Sequence, residues 1–227
     1  MKLGEILDLL VSSELANLAY VENNQIVESK IPNIVNAINL GLIKLYTRFK
    51  LRKDYLFLNV SSTIDTYELI TSKTVSGNNV GAYILDTDKP YTGNLLEVLT
   101  VISSDGAGYN LDGSDGLCLL KTNTLKFTST PTAAIYTVEY LALPDKVVYV
   151  GSTAIEVNLP DAYISALLYF IASRFMSPVG ISFDANRSSM DVNYIQRYEA
   201  ECQQLESKGI DIDLSLDNSL FYQRGFI

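Results

Sequence analysis

The stretch 31–49 constrains this chain more than any other. Ile31, Ile34, Val35, Ile38, Leu42, Leu45, Tyr46 and Phe49 recur at three- and four-residue spacing, which gathers them on one face of a helix. Pro32 suits the first turn, where no amide donor is needed. A helix with so apolar a stripe needs a partner, and the segments of similar character lie far along the chain, at 159–175 and 190–205. Between them, residues 54–158 change to short β-branched and aromatic runs cut by Gly, Asn, Asp and Pro. The expected fold is therefore α+β, a helical bundle built from N- and C-terminal helices with an inserted antiparallel β domain. The expected divisions are 1–53 for the N-terminal helices, 54–158 for the insertion, 159–209 for the C-terminal helices and 210–227 for a docking arm.

A chain of 227 residues, 48% hydrophobic and 19% charged, can bury a substantial core. No run approaches the about 18 apolar residues that span a bilayer, so no membrane partner is expected. Glu5 and Asp8 interrupt any apolar signal core at the start, which predicts synthesis and retention in a cytosol. Cys118 and Cys202 stand far apart with no paired motif and read as free, inert thiols. The formal net charge of −9 repels phosphate on average and argues against tight duplex binding. Lys44, Arg48, Lys50, Arg52 and Lys53 form the local exception, read as the solvated end of a helix where the dipole favours cations.

The sequence contains no histidine, which excludes Ser-His-Asp and Cys-His relays as usually built, and zinc sites that need imidazole. No catalytic, cofactor or metal residues are assigned. The segment 105–116 carries Asp105, Asn110, Asp112 and Asp115 among glycines and invites a calcium reading. It fails the EF-hand pattern: counting from Asn110 puts Asp115 where glycine belongs and Lys121 where glutamate belongs. No Gly-Lys-Ser/Thr follows these glycines, so a phosphate loop is excluded as well, and a flexible hairpin tip is expected.

Along the chain, a first helix is expected over 3–20, with Leu3, Ile6, Leu7 and Leu10 on its stripe and a kink or serine-capped restart at Ser12–Ser13. A polar loop should follow over 21–30. Candidate strands are 55–60, 67–71, 97–102, 124–127, 135–141 and 154–158. The helix over 159–175 is apolar nearly all round and must be enclosed, within its own domain or between subunits. The helix over 188–208 should turn Met190, Tyr194, Ile195, Tyr198, Cys202 and Leu205 inward. The arm alternates apolar and acidic residues and then turns aromatic. Ile212, Leu214, Leu216, Leu220, Phe221, Tyr222 and Phe226 are its candidate partner-interface residues.

The run from Ile31-Pro32-Asn33-Ile34-Val35-Asn36-Ala37-Ile38-Asn39 through Tyr46-Thr47-Arg48-Phe49 carries a family resemblance. So does the run from Leu159-Pro160-Asp161-Ala162-Tyr163 through Ala172-Ser173-Arg174-Phe175. With the strand-rich insertion between them, they resemble the head-to-tail adaptors of short-tailed bacteriophages, also called tail tubular protein A or neck ring proteins, the crAss-like type included. The resemblance implies a non-enzymatic virion protein in the neck, made in the host cytoplasm. It implies a homo-oligomeric ring, a dodecamer, bound to the portal protein and to tail or further neck ring proteins. Genomic DNA would pass through the channel without sequence-specific binding. It brings no cofactor and no catalytic residue.

The rival reading is a glycan-binding or carboxylate-dependent hydrolytic module, because fifteen tyrosines in a strand-rich chain could offer a sugar-stacking platform. The absence of tryptophan weakens it. A hydrolase would also need two acids facing one cleft.

Overall fold

The computed structural model describes residues 1–13, 20–131, 134–176 and 194–208. The chain is α+β and divides into two compact units, one of Met1–Phe49 with the described residues from Asp145 onward, the other of Lys50–Pro144. No helix among the described residues is long and apolar enough to cross a membrane.

The helical unit is built from α1 (Leu3–Ser12), α2 (Ile31–Phe49), α3 (Ile164–Met176) and α4 (Tyr194–Ser207). Every predicted stripe residue of α2 is buried, and so are Leu3, Ile6, Leu7 and Leu10 of α1. The two ends of the sequence meet because α3 packs against α1, α2 and α4. Ala166, Leu167, Phe170, Ile171 and Ala172 of α3 lie in that core, with Phe49 of α2 in ring contact with Tyr163 at 4.9 Å. Enclosure of α3 is thus largely achieved within its own unit.

Several local expectations are corrected. The first helix covers Leu3–Ser12, the Ser12 and Ser13 hydroxyls both donate back to the Leu9 carbonyl, and residues 14–19 of the expected stretch lie outside the described residues. The expected polar loop contains a small hairpin of β1 (Val21–Glu22) and β2 (Gln25–Ile26). Asn23 and Asn24 turn it at φ of 49° and 61°, a left-handed pair that asparagine tolerates best after glycine. Residues 154–158 form no strand. The segment after Asp145 is an extended strap along the helical unit, and it donates and accepts at the start of α1. Leu3 N–H bonds to the Ile155 carbonyl (2.8 Å), Gly4 N–H to the Thr153 carbonyl (2.9 Å) and Val157 N–H to the Met1 carbonyl (2.8 Å). These bonds satisfy the amides that a helix start leaves unpaired. In α4, Tyr198, Cys202 and Leu205 are buried, but Ile195, close to the same stripe and in the first turn of the helix, is 44% exposed. Met190 lies outside the described residues.

The other unit holds two antiparallel sheets. One has β3 (Lys53–Asn59), β5 (Ile84–Leu85), β6 (Leu95–Ser103), β7 (Gly108–Tyr109) and β10 (Ile135–Ala142), in the order β5-β3-β10-β6-β7. The second has β4 (Thr66–Glu68), β8 (Leu117–Lys121) and β9 (Thr124–Phe127), in the order β4-β9-β8. Alternation in β3 sends Leu56 and Leu58 into the core, where they join Tyr67, Leu125, Phe127, Tyr136 and Val138.

Tyrosine is central to this core. Tyr67 meets Tyr83 at 4.9 Å and Phe127 at 5.7 Å, and Phe127 meets Tyr136 at 5.1 Å. The buried phenols are satisfied by loop backbone: Tyr67 donates toward the Ser61 and Ile64 carbonyls, Tyr83 to Glu68 and Tyr91 to Leu69. Burial raises all three phenols above their ordinary range, Tyr91 to about 12. The tyrosines that suggested a sugar platform are thus mostly core and loop anchors.

Candidate interaction surfaces

The seven arm residues singled out as interface candidates, Ile212 to Phe226, lie outside the described residues. What the structure positions is a basic cluster, a set of carboxylates, a groove and an open sheet face.

The basic cluster is occupied by ion pairs rather than simply solvated. Arg48 of α2 donates from Nη1 to Glu199 at 2.6 Å and from Nε to Glu206 at 2.7 Å, joining α2 to two turns of α4. Those bonds raise the guanidinium further above its ordinary value and hold Glu206 below the usual carboxylate range. Lys44 lies 6.0 Å from the Phe170 ring. In the sheet unit, Lys50 pairs with Glu97 at 3.8 Å and Arg52 with Asp54 at 3.3 Å. Arg48, Lys50 and Arg52 are thus engaged in ion pairs with carboxylates.

Among the described residues, each carboxyl whose pKa is clearly displaced is displaced downward. Burial alone would raise Asp54, but the Lys89 ammonium, the Tyr55 amide and Arg52 outweigh it. Burial would likewise raise Asp86, and the Ser76 hydroxyl and amide with the Tyr91 amide outweigh that. At the loop that suggested calcium, Asp105 accepts from the Ser103 hydroxyl and the Ala107 amide, which lower it. Asp112 accepts from Ser114 at 2.6 and 2.9 Å and is lowered in the same way, while Asp115 accepts from Asn110 at 2.7 and 3.0 Å. The three aspartates are engaged in side-chain bonds within their own loop.

A groove of about 500 Å³ in the helical unit is lined by Met1, Asp145, Lys146, Val147, Glu156 and Asn158 among others. Two carboxylates facing one groove is the arrangement the hydrolytic rival requires. Asp145 and Glu156 are both exposed, however, and not enclosed in a cleft.

The outward face of the five-stranded sheet is the least expected feature. Tyr55 is 50% exposed, Phe57 39% and Ile135 42%, and half-buried Leu85 and Ile102 flank them. Register places Leu85, Phe57, Thr137 and Ile102 in one row across four strands. The signal was present in sequence, since Tyr55-Leu56-Phe57-Leu58 is apolar on both faces of a strand. The Tyr55 and Phe57 rings touch at 5.4 Å with planes inclined at 62°. Rings so inclined cannot both lie flat against one sugar chain, which separates this face from a glycan platform.

No family model and no curated protein matches the chain. Among solved structures, it is similar to a chain from the neck of an empty GTA particle computed with C6 symmetry. That match is 12% identical with a TM-score of 0.28, over 87% of this chain and 88% of the other. A chain from the neck of a native GTA particle computed with C12 symmetry matches at 12% identity and a TM-score of 0.25, over 86% of this chain and 89% of the other. Likeness at that level carries no functional weight.

Proposed function

We propose that this protein is a structural subunit of a phage virion neck. It forms a homo-oligomeric ring, a dodecamer by resemblance, that joins the portal protein to the tail or to further neck rings. The observation that carries the proposal is the single helical unit assembled from both chain ends, with the sheet unit inserted between them. That is the layout implied by the adaptor resemblance, and the two segments that carry the resemblance are the helices α2 and α3 that pack together. An acidic subunit also suits a conduit: a net charge of −9 keeps phosphates from adhering while genomic DNA slides through without base reading. The protein is made in the host cytoplasm and acts in the virion, without enzymatic activity or cofactor. The arm, through Ile212, Leu214, Leu216, Leu220, Phe221, Tyr222 and Phe226, contacts another subunit or a neck partner.

Electron microscopy of the purified full chain, alone and with the candidate portal, tests the reading. Closed rings, or rings seated on the portal, are expected. Particles that lack the protein and still keep tails attached and DNA inside would overturn it. The paired carboxylates Asp145 and Glu156 favour the hydrolytic rival to this extent only: glycan hydrolysis that disappears in Glu156→Gln would establish it.

A further inference from the structure

We infer that the open sheet face around Tyr55 and Phe57 is the seat of the C-terminal arm of a neighbouring copy. The inference rests on the ring reading above and names the surface that the arm would use. The face is apolar at its centre and carries charges of both signs, with Glu139 of β10 directly opposite Tyr55 in the register. Lys53 shares the outward side of β3 with Tyr55 and Phe57, and the Lys89 ammonium stands 5.0 Å from the Tyr55 ring centroid. An antiparallel sheet with one face in water ordinarily keeps that face polar; two aromatics and three aliphatics there mark a covered surface.

The chain itself supplies a segment of the matching chemistry. From Ile210 to Asp217 the arm alternates strictly, with Ile210, Ile212, Leu214 and Leu216 in one set and Asp211, Asp213, Ser215 and Asp217 in the other. Drawn out as an extended strand, the four aliphatics would face one way and the acids the other, toward water. Leu220, Phe221, Tyr222 and Phe226 add the bulk that buries area against rings. Residues 209–227 follow directly on α4, and extended at ~3.3 Å per residue they reach on the order of 60 Å, enough to reach a second copy.

Contact across the face, and not strand addition at its edge, is the expected mode. The edge of β3 beyond the short β5 is blunted, because the Asp54 carboxylate takes the Tyr55 amide at 2.8 Å and is itself held by Lys89. The site therefore reads side chains on a surface and leaves the backbone ladder closed.

The experiment uses the full chain with Phe57→p-benzoylphenylalanine, mixed with isotopically labelled unmodified chain and irradiated. Cross-linked peptides joining position 57 of one copy to residues 210–227 of a labelled copy are expected. In parallel, Phe57→Ser and deletion of 211–227 should each weaken self-association at least roughly tenfold with the far-ultraviolet spectrum unchanged. Rings that persist in Phe57→Ser, with cross-links only to other segments or within one copy, would overturn the arm's seat while leaving the ring reading intact. A wild-type chain that stays monomeric even with the portal would instead remove the ring reading, and this inference with it.

Discussion

Gly41 of α2 sits against Phe170 of α3 so closely that a Cβ on residue 41 would lie 2.9 Å from the ring and 2.6 Å from Leu167 Cδ1. The glycine is there for helix approach. Gly41→Ala gains about 1 kcal/mol of helix propensity but must displace two core side chains. A branched substitution has no such compensation, so Gly41→Val should destabilise by roughly 1–3 kcal/mol beyond any effect of alanine. Phe170→Ala and Leu167→Ala, from positions 3% and 0% exposed, should each cost about 2–5 kcal/mol. Chemical denaturation of the four variants measures all of this, and an unchanged midpoint for Phe170→Ala would contradict the packing.

How much of this was legible in sequence depended on element length. The nineteen-residue α2 shows its period over five turns, and each predicted core residue in it is buried. β9 at Thr124–Phe127 falls where expected, and β10 at Ile135–Ala142 falls within one residue. Missed elements are short or lack alternation: β5 and β7 are two residues each, and β8, Leu-Cys-Leu-Leu-Lys, carries no period-two signal beside its glycine-rich neighbour. Residues 154–158 find their partners in Met1 and Leu3 at a helix start, a pairing no local pattern encodes. The ties of Arg48 to Glu199 and Glu206 depend on tertiary proximity and were likewise unreadable. On the functional side, the arm was legible as composition alone, while the Tyr55–Phe57 face could have been found from a strand apolar on both sides.

Acid should loosen the α2–α4 tie. Arg48 holds the Glu206 carboxyl below its ordinary pKa, so the folded state binds that proton less readily than the unfolded chain. The stabilisation is present above the unfolded carboxyl value, near 4.3, and is lost as pH falls through the lower folded value. Arg48→Gln should flatten that part of the stability profile below about pH 4.5 and leave the neutral-pH structure in place. Thermal melts of both proteins between pH 3 and 7 are the measurement; parallel profiles would show that the pair contributes nothing.

In the sheet unit, Asp86 should matter more than its loop setting suggests. Its carboxylate, 3% exposed, accepts from the Ser76 amide at 2.8 Å, the Ser76 hydroxyl at 2.6 Å and the Tyr91 amide at 3.2 Å. Removing it strands amide donors in a buried place. Asp86→Ala is expected to cost about 1.5–3 kcal/mol, and Asp86→Asn less because one acceptor oxygen remains. Hydrogen exchange should quicken at Ser76 and Tyr91 in both variants, and unaltered protection there would rule the bonds out as anchors.

One side chain ties the Val147 end of the strap to α2. Asn39 donates from Nδ2 to the Val147 carbonyl at 2.8 Å and accepts the Val147 amide on Oδ1 at 2.9 Å, so its amide group imitates a strand partner. Farther along, the Tyr46 hydroxyl donates to the Asn158 carbonyl at 2.5 Å. Asn39→Ala removes the first tie and leaves a part-buried donor and acceptor on Val147, a loss of about 1–3 kcal/mol. Asn39→Asp keeps the acceptor but sets a carboxylate against a carbonyl oxygen, and below the carboxyl pKa its proton can restore the missing donor. Asn39→Asp should therefore be less stable than Asn39→Ala at pH 7 and recover relative to it near pH 4, whereas Tyr46→Phe, which deletes only the distant tie, should show no such crossing. Exchange of the Val147 amide, followed at both pH values, reports the strap directly; equal protection in Asn39→Ala and the parent chain would mean that Asn39 does not hold it.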